Sequence, residues 1–424
     1  MLSGANGGET GENPKGELEM IVIKRPFVSK VEGSTRVTSL LCIDGVETSL
    51  WVEVEDQYAS GLCSDRVDGF VIALLPLAFK FKHDIMFEAP ITDLLKEQLE
   101  KDFIDVICEH QSEVYHVKLI GPTIAPIYKR KTVRAMGLSC GVDCLYTVHN
   151  RMLDASLGAR YFVMSNAHMR SKDDSAESAA KRFKPLYDNG KAFADKLGIP
   201  LIVVRTNWGP QVIADLRIEN NTTFCNVFVA YCLQNLFSLY FLASGGPIKD
   251  FAVKYVRNGI FKTDCSNYDL LALSAYSTPS LRFIVDGLEE RVSKIRALLE
   301  WEECWNNLDV CEKHKRLKIG NDTYDCHKCM HTVNEIMSQG GIEGLKKFKN
   351  VFDINYVLSH RAEYLAYLIC QRIERSEIGM EAWRGKAREG CSFATYIVAI
   401  GIIIRKAFRK LVPSGKVPAS WADI

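Results

Sequence analysis

The sequence predicts an α/β protein: a doubly wound parallel sheet, with an α+β region before it and a helical extension after it. Three observations carry this. From Lys131, β-rich and amphipathic segments alternate at strand–helix–strand spacing. A turn of small residues, Ser139–Asp143, falls where the first of those strands should give way to its helix. Beyond about residue 348 the pattern is helical to the end of the sequence.

The elements follow in order. Residues 1–19 are rich in Gly, Asn and Glu and nearly free of large apolar groups, which predicts a disordered tail. Over residues 20–130, short β-rich runs at Met20–Ile23, Thr38–Cys42, Ser49–Val54, Gly69–Leu75, Phe87–Ala89 and Val114–Ile120 alternate with turns such as Asp44-Gly45. One amphipathic helix, from Ile91 to about Phe103 with Thr92 as its N-cap, completes what reads as a separate α+β module for a substrate or partner. Residues 131–345 then give strands at Val133–Leu138, Arg160–Ser165 and Pro200–Thr206. The intervening helices fall at Asp143–Leu157 and Ala176–Leu197. A further strand, Leu281–Val285, leads into a helix over about Leu288–Trp301. The helical extension occupies residues 346–424.

Composition limits the functional classes. With 424 residues, 47% of them apolar and 25% charged, the chain exceeds one compact core and is not globally disordered. A formal net charge of +1 lacks the basic excess of a dedicated nucleic-acid binder. No secretory segment is visible, and the 14 cysteines are scattered through apolar stretches, so free thiols in a reducing cytoplasm are expected. The apolar runs Phe224–Ser244 and Phe393–Ile404 are read as buried core helices. Asn226, Gln234 and Asn235 interrupt the first, and the second falls short of the roughly 20 residues a span requires. An interfacial role for the second stays open.

The segment Ser139-Cys140-Gly141-Val142-Asp143-Cys144 has the chemistry of an anion cradle. Small residues let backbone N–H groups converge, the following helix adds its positive dipole end, and Ser139 offers a hydroxyl. Asp143 is placed to hold Mg²⁺ or to fix the loop. No Gly-x4-Gly-Lys-Ser/Thr loop is present. The segment resembles the Ser-Gly-Gly-x-Asp-Ser/Thr signature of the PP-loop ATP pyrophosphatases, at Ser139, Gly141 and Asp143. Cys140 stands for the middle Gly and Cys144 for the last Ser/Thr. Either cysteine is then a small packing residue or, with its pKa lowered by the helix N-terminus, a carrier of sulfur or of a covalent intermediate. Asn166 and Asn207, ending the second and third strands, could contact the nucleotide or serve as turn residues. Arg291 and Lys294 either face the triphosphate, as basic residues of the relatives do, or lie on a solvated helix face. Ser244-Gly245-Gly246-Pro247 reads as a C-cap and turn after a helix. His149 and His168 have no evident partner.

A second cluster is Cys326-x-x-Cys329, preceded by Cys311. Thiolates at this spacing can share one tetrahedral ion, with His314, His327, His331 or Cys304 as the fourth ligand. The arrangement is similar to the zinc knot of 7-cyano-7-deazaguanine synthase-like members of the same superfamily, whose further cysteine corresponds to Thr323 here, so the site is either zinc with a substituted ligand or a relic that folds without metal. The resemblance implies an enzyme that uses ATP and Mg²⁺, with structural Zn²⁺, to adenylate a carboxylate or amide oxygen for a nitrogen nucleophile. The alternatives are an ATP-dependent sulfurtransferase and a non-catalytic nucleotide-binding scaffold. The expected substrate is a small molecule or a protein terminus, and the expected assembly a homodimer or a partner-protein complex.

Overall fold

The computed structural model describes residues 20–105, 108, 115–129, 132–167, 176–209, 221–248, 254–256, 260–262, 275–311, 326–373 and 383–411. The expected tail, residues 1–19, lies outside them. The N-terminal strands are β1 (Met20–Ile23), β2 (Phe27–Val31), β3 (Ser34–Ile43), β4 (Val46–Glu55), β5 (Asp84–Phe87), β6 (Ile91–Thr92), β7 (Leu119–Ile120) and β8 (Thr123–Ile124). Between β3 and β4, Asp44 and Gly45 have φ of 52° and 78°, the left-handed pair a two-residue hairpin turn demands. That turn fixes the register from Ile43↔Val46 to Ser34↔Glu55.

The remaining strands are β9 (Arg134–Gly137), β10 (Arg160–Ser165), β11 (Leu201–Thr206), β12 (Leu239–Ala243), β13 (Lys254–Val256), β14 (Ile260–Lys262) and β15 (Arg282–Asp286). One 11-stranded sheet runs β15-β12-β9-β10-β11-β4-β3-β1-β5-β7, with β2 added on β3. Its first five strands are mutually parallel. Within them the chain winds outward from β9 through β10 to β11, then returns to place β12 on the other side of β9. The sheet therefore has its topological switch point between β9 and β12, where ligands enter α/β proteins.

The helices are α1 (Asp68–Phe81), α2 (Asp93–Gln98), α3 (Val142–Arg151), α4 (Ala176–Leu197), α5 (Asn221–Cys232), α6 (Arg291–Glu300), α7 (His327–Lys347), α8 (Ile354–Ser359), α9 (Arg361–Ile373) and α10 (Phe393–Leu411). One core contains Leu145 and Val148 of α3, Phe193 of α4, Leu298 of α6 and Val333 of α7. The other joins α1 and α5, with Phe70 and Phe228 edge to face at 5.6 Å between ring centroids.

The expected parallel units match the structure closely; the N-terminal half does not. Apart from β6 and β8, which pair parallel in a small two-stranded sheet, its strands belong to the common sheet, because β4 pairs antiparallel with β11 through Glu53↔Arg205 and Val52↔Thr206. Gly69–Leu75, expected as a strand, is the interior of α1. It is apolar and buried on every side, so it carries no period to tell a helix from a strand. Phe224–Ser244 is not one helix: α5 ends at Cys232, and β12 begins at Leu239 after the Gln234-Asn235 turn. The helix expected from Ile91 begins instead as β6, then forms α2 and a wider i→i+5 turn over Leu99–Ile104. Thr92 sits at its N-cap position but does not cap, since its hydroxyl donates to buried Asp68 at 2.7 Å. The strand expected at Phe87–Ala89 runs over Asp84–Phe87, and of Val114–Ile120 only Leu119–Ile120 is strand among the described residues. Helix α10 includes the run Phe393–Ile404, but one of its faces is exposed rather than buried. No helix among the described residues is long and apolar enough to cross a membrane.

Candidate functional site at the switch point

Strand β9 ends at Gly137, and the chain turns through 138–141 into α3. Cys140 makes the turn with φ 56°, the left-handed region that disfavours any side chain. Its carbonyl accepts the amide of Asp309 at 2.7 Å, which ties the turn to a distant segment. Gly141, at the N-cap of α3, has φ −72° and ψ 168°, a conformation any residue adopts. A Cβ there would meet nothing closer than 3.5 Å. The backbone therefore does not need glycine at 141, whereas it would favour glycine at 140.

Ser139 is exposed, and its Oγ accepts the amide of Gly141 at 3.4 Å. Val142 and Cys144 are buried behind the loop. The Cys144 sulfur accepts the amide of Ser139 at 3.3 Å, and its thiol donates to the carbonyl of Gly137 at 3.5 Å. Burial pushes this thiol up against the opposing amide hydrogen bonds from Ser139 and Cys140. The direction is opposite to the lowering expected from a helix N-terminus, and Cys144 is a neutral clasp on the loop.

Asp143 is fully engaged. Its Oδ1 accepts Lys294 Nζ at 2.7 Å and its Oδ2 accepts Arg291 Nη1 at 3.1 Å. Arg291 also donates from Nε to Glu335 at 2.9 Å and from Nη2 to Thr332 Oγ1 at 3.2 Å. Lys294 is completely buried and donates again to the carbonyl of Ser244 at 2.7 Å. Neither basic residue lies on a solvated face. Together they staple three strand ends, because Asp143 follows β9, Ser244 follows β12, and α6 follows β15. Asp143 thus fixes the loop, with both oxygens committed to cationic side chains.

Ser244-Gly245-Gly246 follows a strand, not a helix, which corrects the reading as a helix C-cap. It forms a second small-residue turn beside the first, across the switch point, with Ser244 Oγ accepting the amide of Gly246 at 3.3 Å. A Cβ on Gly245 would meet open space. The two asparagines are structural at the groups that have partners. Asn166 Oδ1 accepts the amide of Thr206 at 2.9 Å. Asn207 accepts from the amide of Trp51 at 3.0 Å and donates to the carbonyl of Ser49 at 2.7 Å, pinning β4 to the end of β11. His149 lies against Trp301, with 5.2 Å between ring centroids, and His168 is outside the described residues.

The thiols of Cys311, Cys326 and Cys329 converge, with all three sulfurs within 4.8 Å of one another. Cys326 is the N-cap of α7, accepting the amide of Cys329 at 3.4 Å. Hydrogen bonding to Cys311 and Cys326, then burial, hold the Cys329 thiol well above the ordinary range. Three soft donors on a helix N-terminus and a nearby segment form a set that can hold a thiophilic metal ion. Cys304 does not join them; its thiol donates to the carbonyl of Trp301 at 3.1 Å. His331 does not either, being 3.0 Å from Glu335. His314 and Thr323 lie outside the described residues.

Sequence reasoning missed Asp309, Thr332 and Glu335. Only the His331–Glu335 spacing of four on α7 was visible in the sequence, and it says nothing of Arg291. Compared with known proteins, the chain matches no family model, no curated protein and no solved structure.

Proposed function

We propose that the crevice at the β9–β12 switch point binds ATP and that the protein is an adenylating enzyme. The observation that supports this best is Gly141. It stands at the N-terminus of α3 in a conformation and a space that both admit a side chain, so the missing side chain serves the approach of a ligand to the loop amides. Ser139 supplies a hydroxyl beside those amides, and Gly245 leaves the facing turn open.

In this reading a substrate carboxylate or amide oxygen attacks the α-phosphorus of ATP, and pyrophosphate leaves. A nitrogen nucleophile then attacks the activated carbon of the acyl or imidate adenylate, forming the C–N bond as the C–O bond to AMP breaks and AMP leaves. The loop contributes positioning and charge stabilisation. Mg²⁺ would arrive as the counter-ion of the nucleotide, since each Asp143 oxygen already accepts from a cationic side chain. The acceptor is a small molecule or a protein terminus. The neutral, buried Cys144 weighs against the sulfurtransferase alternative, which needs an accessible thiolate. Zn²⁺ fits the triad of Cys311, Cys326 and Cys329, where it would cross-link the segment beside the loop to α7.

The test is ATP labelled at the α-phosphate, with Mg²⁺ and candidate acceptors, followed for AMP and pyrophosphate. Gly141→Val should remove nucleotide binding while leaving the melting temperature within a few degrees. Formation of ADP and phosphate would exclude adenylation. Unchanged ATP binding in Gly141→Val would remove the loop from the site. Binding without turnover across acceptors would favour the scaffold reading.

A further inference from the structure

Helix α10 is apolar all round from Phe393 to Ile404, apart from Thr395 and Tyr396, yet among the described residues only one of its faces is packed. Tyr396, Ala399, Ile402 and Ile403 pack toward α9, against Leu365, Ala366 and Ile369. The opposite face presents Phe393, Ile397, Ile400 and Ile404, spaced i, i+4, i+7 and i+11. They are 81%, 57%, 49% and 49% exposed, and Val398 at 54% widens the stripe. A helix with apolar residues on both faces belongs in an apolar medium on both.

Charge distinguishes the occupants. From Phe393 to Leu411 the sequence contains Arg405, Lys406, Arg409 and Lys410 and no acidic residue, although the whole chain has a net charge of only +1. The uncharged run is too short to cross a bilayer, which takes roughly 20 residues. A second copy is disfavoured on area and charge. One face of a helix this short offers a few hundred Å², against roughly 800 Å² per partner in a stable complex. Pairing two such helices would also set like charge against like, since neither copy has an acidic residue from Phe393 to Leu411. A bilayer surface has neither requirement, since each apolar side chain partitions independently and anionic headgroups meet the basic end.

We propose that α10 docks the protein on an anionic lipid surface, with the Phe393–Ile397–Ile400–Ile404 stripe among the acyl chains and the basic end at the phosphates. This does not depend on the nucleotide reading. The experiment is co-sedimentation of the full chain with vesicles of phosphatidylcholine, with and without one third phosphatidylglycerol. Anionic vesicles should pellet the protein, and high salt should release it. Ile397→Glu/Ile404→Glu should weaken binding at least tenfold, and both positions are exposed enough for the fold to survive. Arg405→Glu/Lys406→Glu should abolish the preference for phosphatidylglycerol. Absence of pelleting, or equal pelleting of wild type and Ile397→Glu/Ile404→Glu, would overturn the proposal. A lipid-free dimer dissociated by that same variant would assign the face to a second copy and overturn it equally.

Discussion

The amide of Asp309 donates to the carbonyl of Cys140 at 2.7 Å, two residues before the thiol of Cys311. The phosphate-loop candidate and the thiol triad are therefore consecutive parts of one structure. The far side of the triad reaches the same loop by another route. Helix α7, which begins at Cys326 and Cys329, carries Thr332 and Glu335 to Arg291, and Arg291 holds Asp143.

Cys140 should tolerate glycine and reject branching. A non-glycine residue at φ 56° costs about 1 kcal/mol. Losing the small buried side chain costs a similar amount, about 1 kcal/mol. Cys140→Gly should therefore shift stability by less than about 1 kcal/mol, whereas β-branched Cys140→Val should cost about 2 kcal/mol or more. Urea midpoints of the three proteins measure this. Equal midpoints for Gly and Val would mean that the turn is not held in its left-handed form.

Asp143 separates two roles by its effect on folding. If it served only a nucleotide-borne cation, removing it would leave stability unchanged. In this structure its loss strands Lys294, completely buried, with only the Ser244 carbonyl as partner. Breaking a buried pair from one side costs about 3–5 kcal/mol. Asp143→Ala should lower stability by that order without nucleotide present. Asp143→Ala/Lys294→Met should recover much of it, since a thioether replaces the stranded ammonium. Denaturation of the single and double variants, read as a cycle, gives the coupling directly.

What was legible in the sequence follows from range. Strands β9, β10 and β11 and helix α4 are local, periodic and punctuated by turns, and their bounds agree with expectation to within a residue; α3 starts within one residue of expectation but ends at Arg151, six residues before the expected Leu157. Ser139–Asp143 was visible because strand, turn and helix are contiguous. The partners of Asp143 come from 148 and 151 residues away, and a buried Lys294 reads from sequence like any helical lysine. Segments buried on all sides carried the least information. Gly69–Leu75 and Phe224–Ser244 have apolar residues at every phase, so only the Gln234-Asn235 turn hinted that the second run divides. The placement of Ser244-Gly245-Gly246 was lost with that division, and with it the second turn at the switch point.

Removing metal should loosen the loop from both sides. Zinc bound by Cys311, Cys326 and Cys329 would fix the segment that grips Cys140 and the helix that grips Arg291. Cys326→Ser, or a chelator, should release about one zinc per chain by elemental analysis and lower the melting temperature by several degrees. Amide hydrogen exchange should rise at Cys140–Cys144, distant in sequence from the thiols. Full metal loss with unchanged exchange at the loop would show that the triad stabilises α7 alone.

Glu53 joins the two halves of the sheet, and its contribution should vanish in acid. It accepts Arg36 Nη2 at 2.7 Å from β3 and Arg205 Nη1 at 2.9 Å from β11, and its side chain is only 5% exposed. Burial alone would raise its pKa; the hydrogen bonds from Arg36 and Arg205 oppose that and leave it below the ordinary value of 4.5. A carboxylate lowered in the folded state stabilises fully above its unfolded pKa, and loses that contribution as pH falls through the folded one. Glu53→Gln should cost about 1–3 kcal/mol at pH 7. The gap from wild type should be constant down to about pH 5 and narrow progressively below about 4.5, as Glu53 of the wild type protonates. Urea unfolding at a series of pH values tests this. A gap that persists undiminished to pH 3 would mean that the arginines hold Glu53 through packing geometry rather than charge.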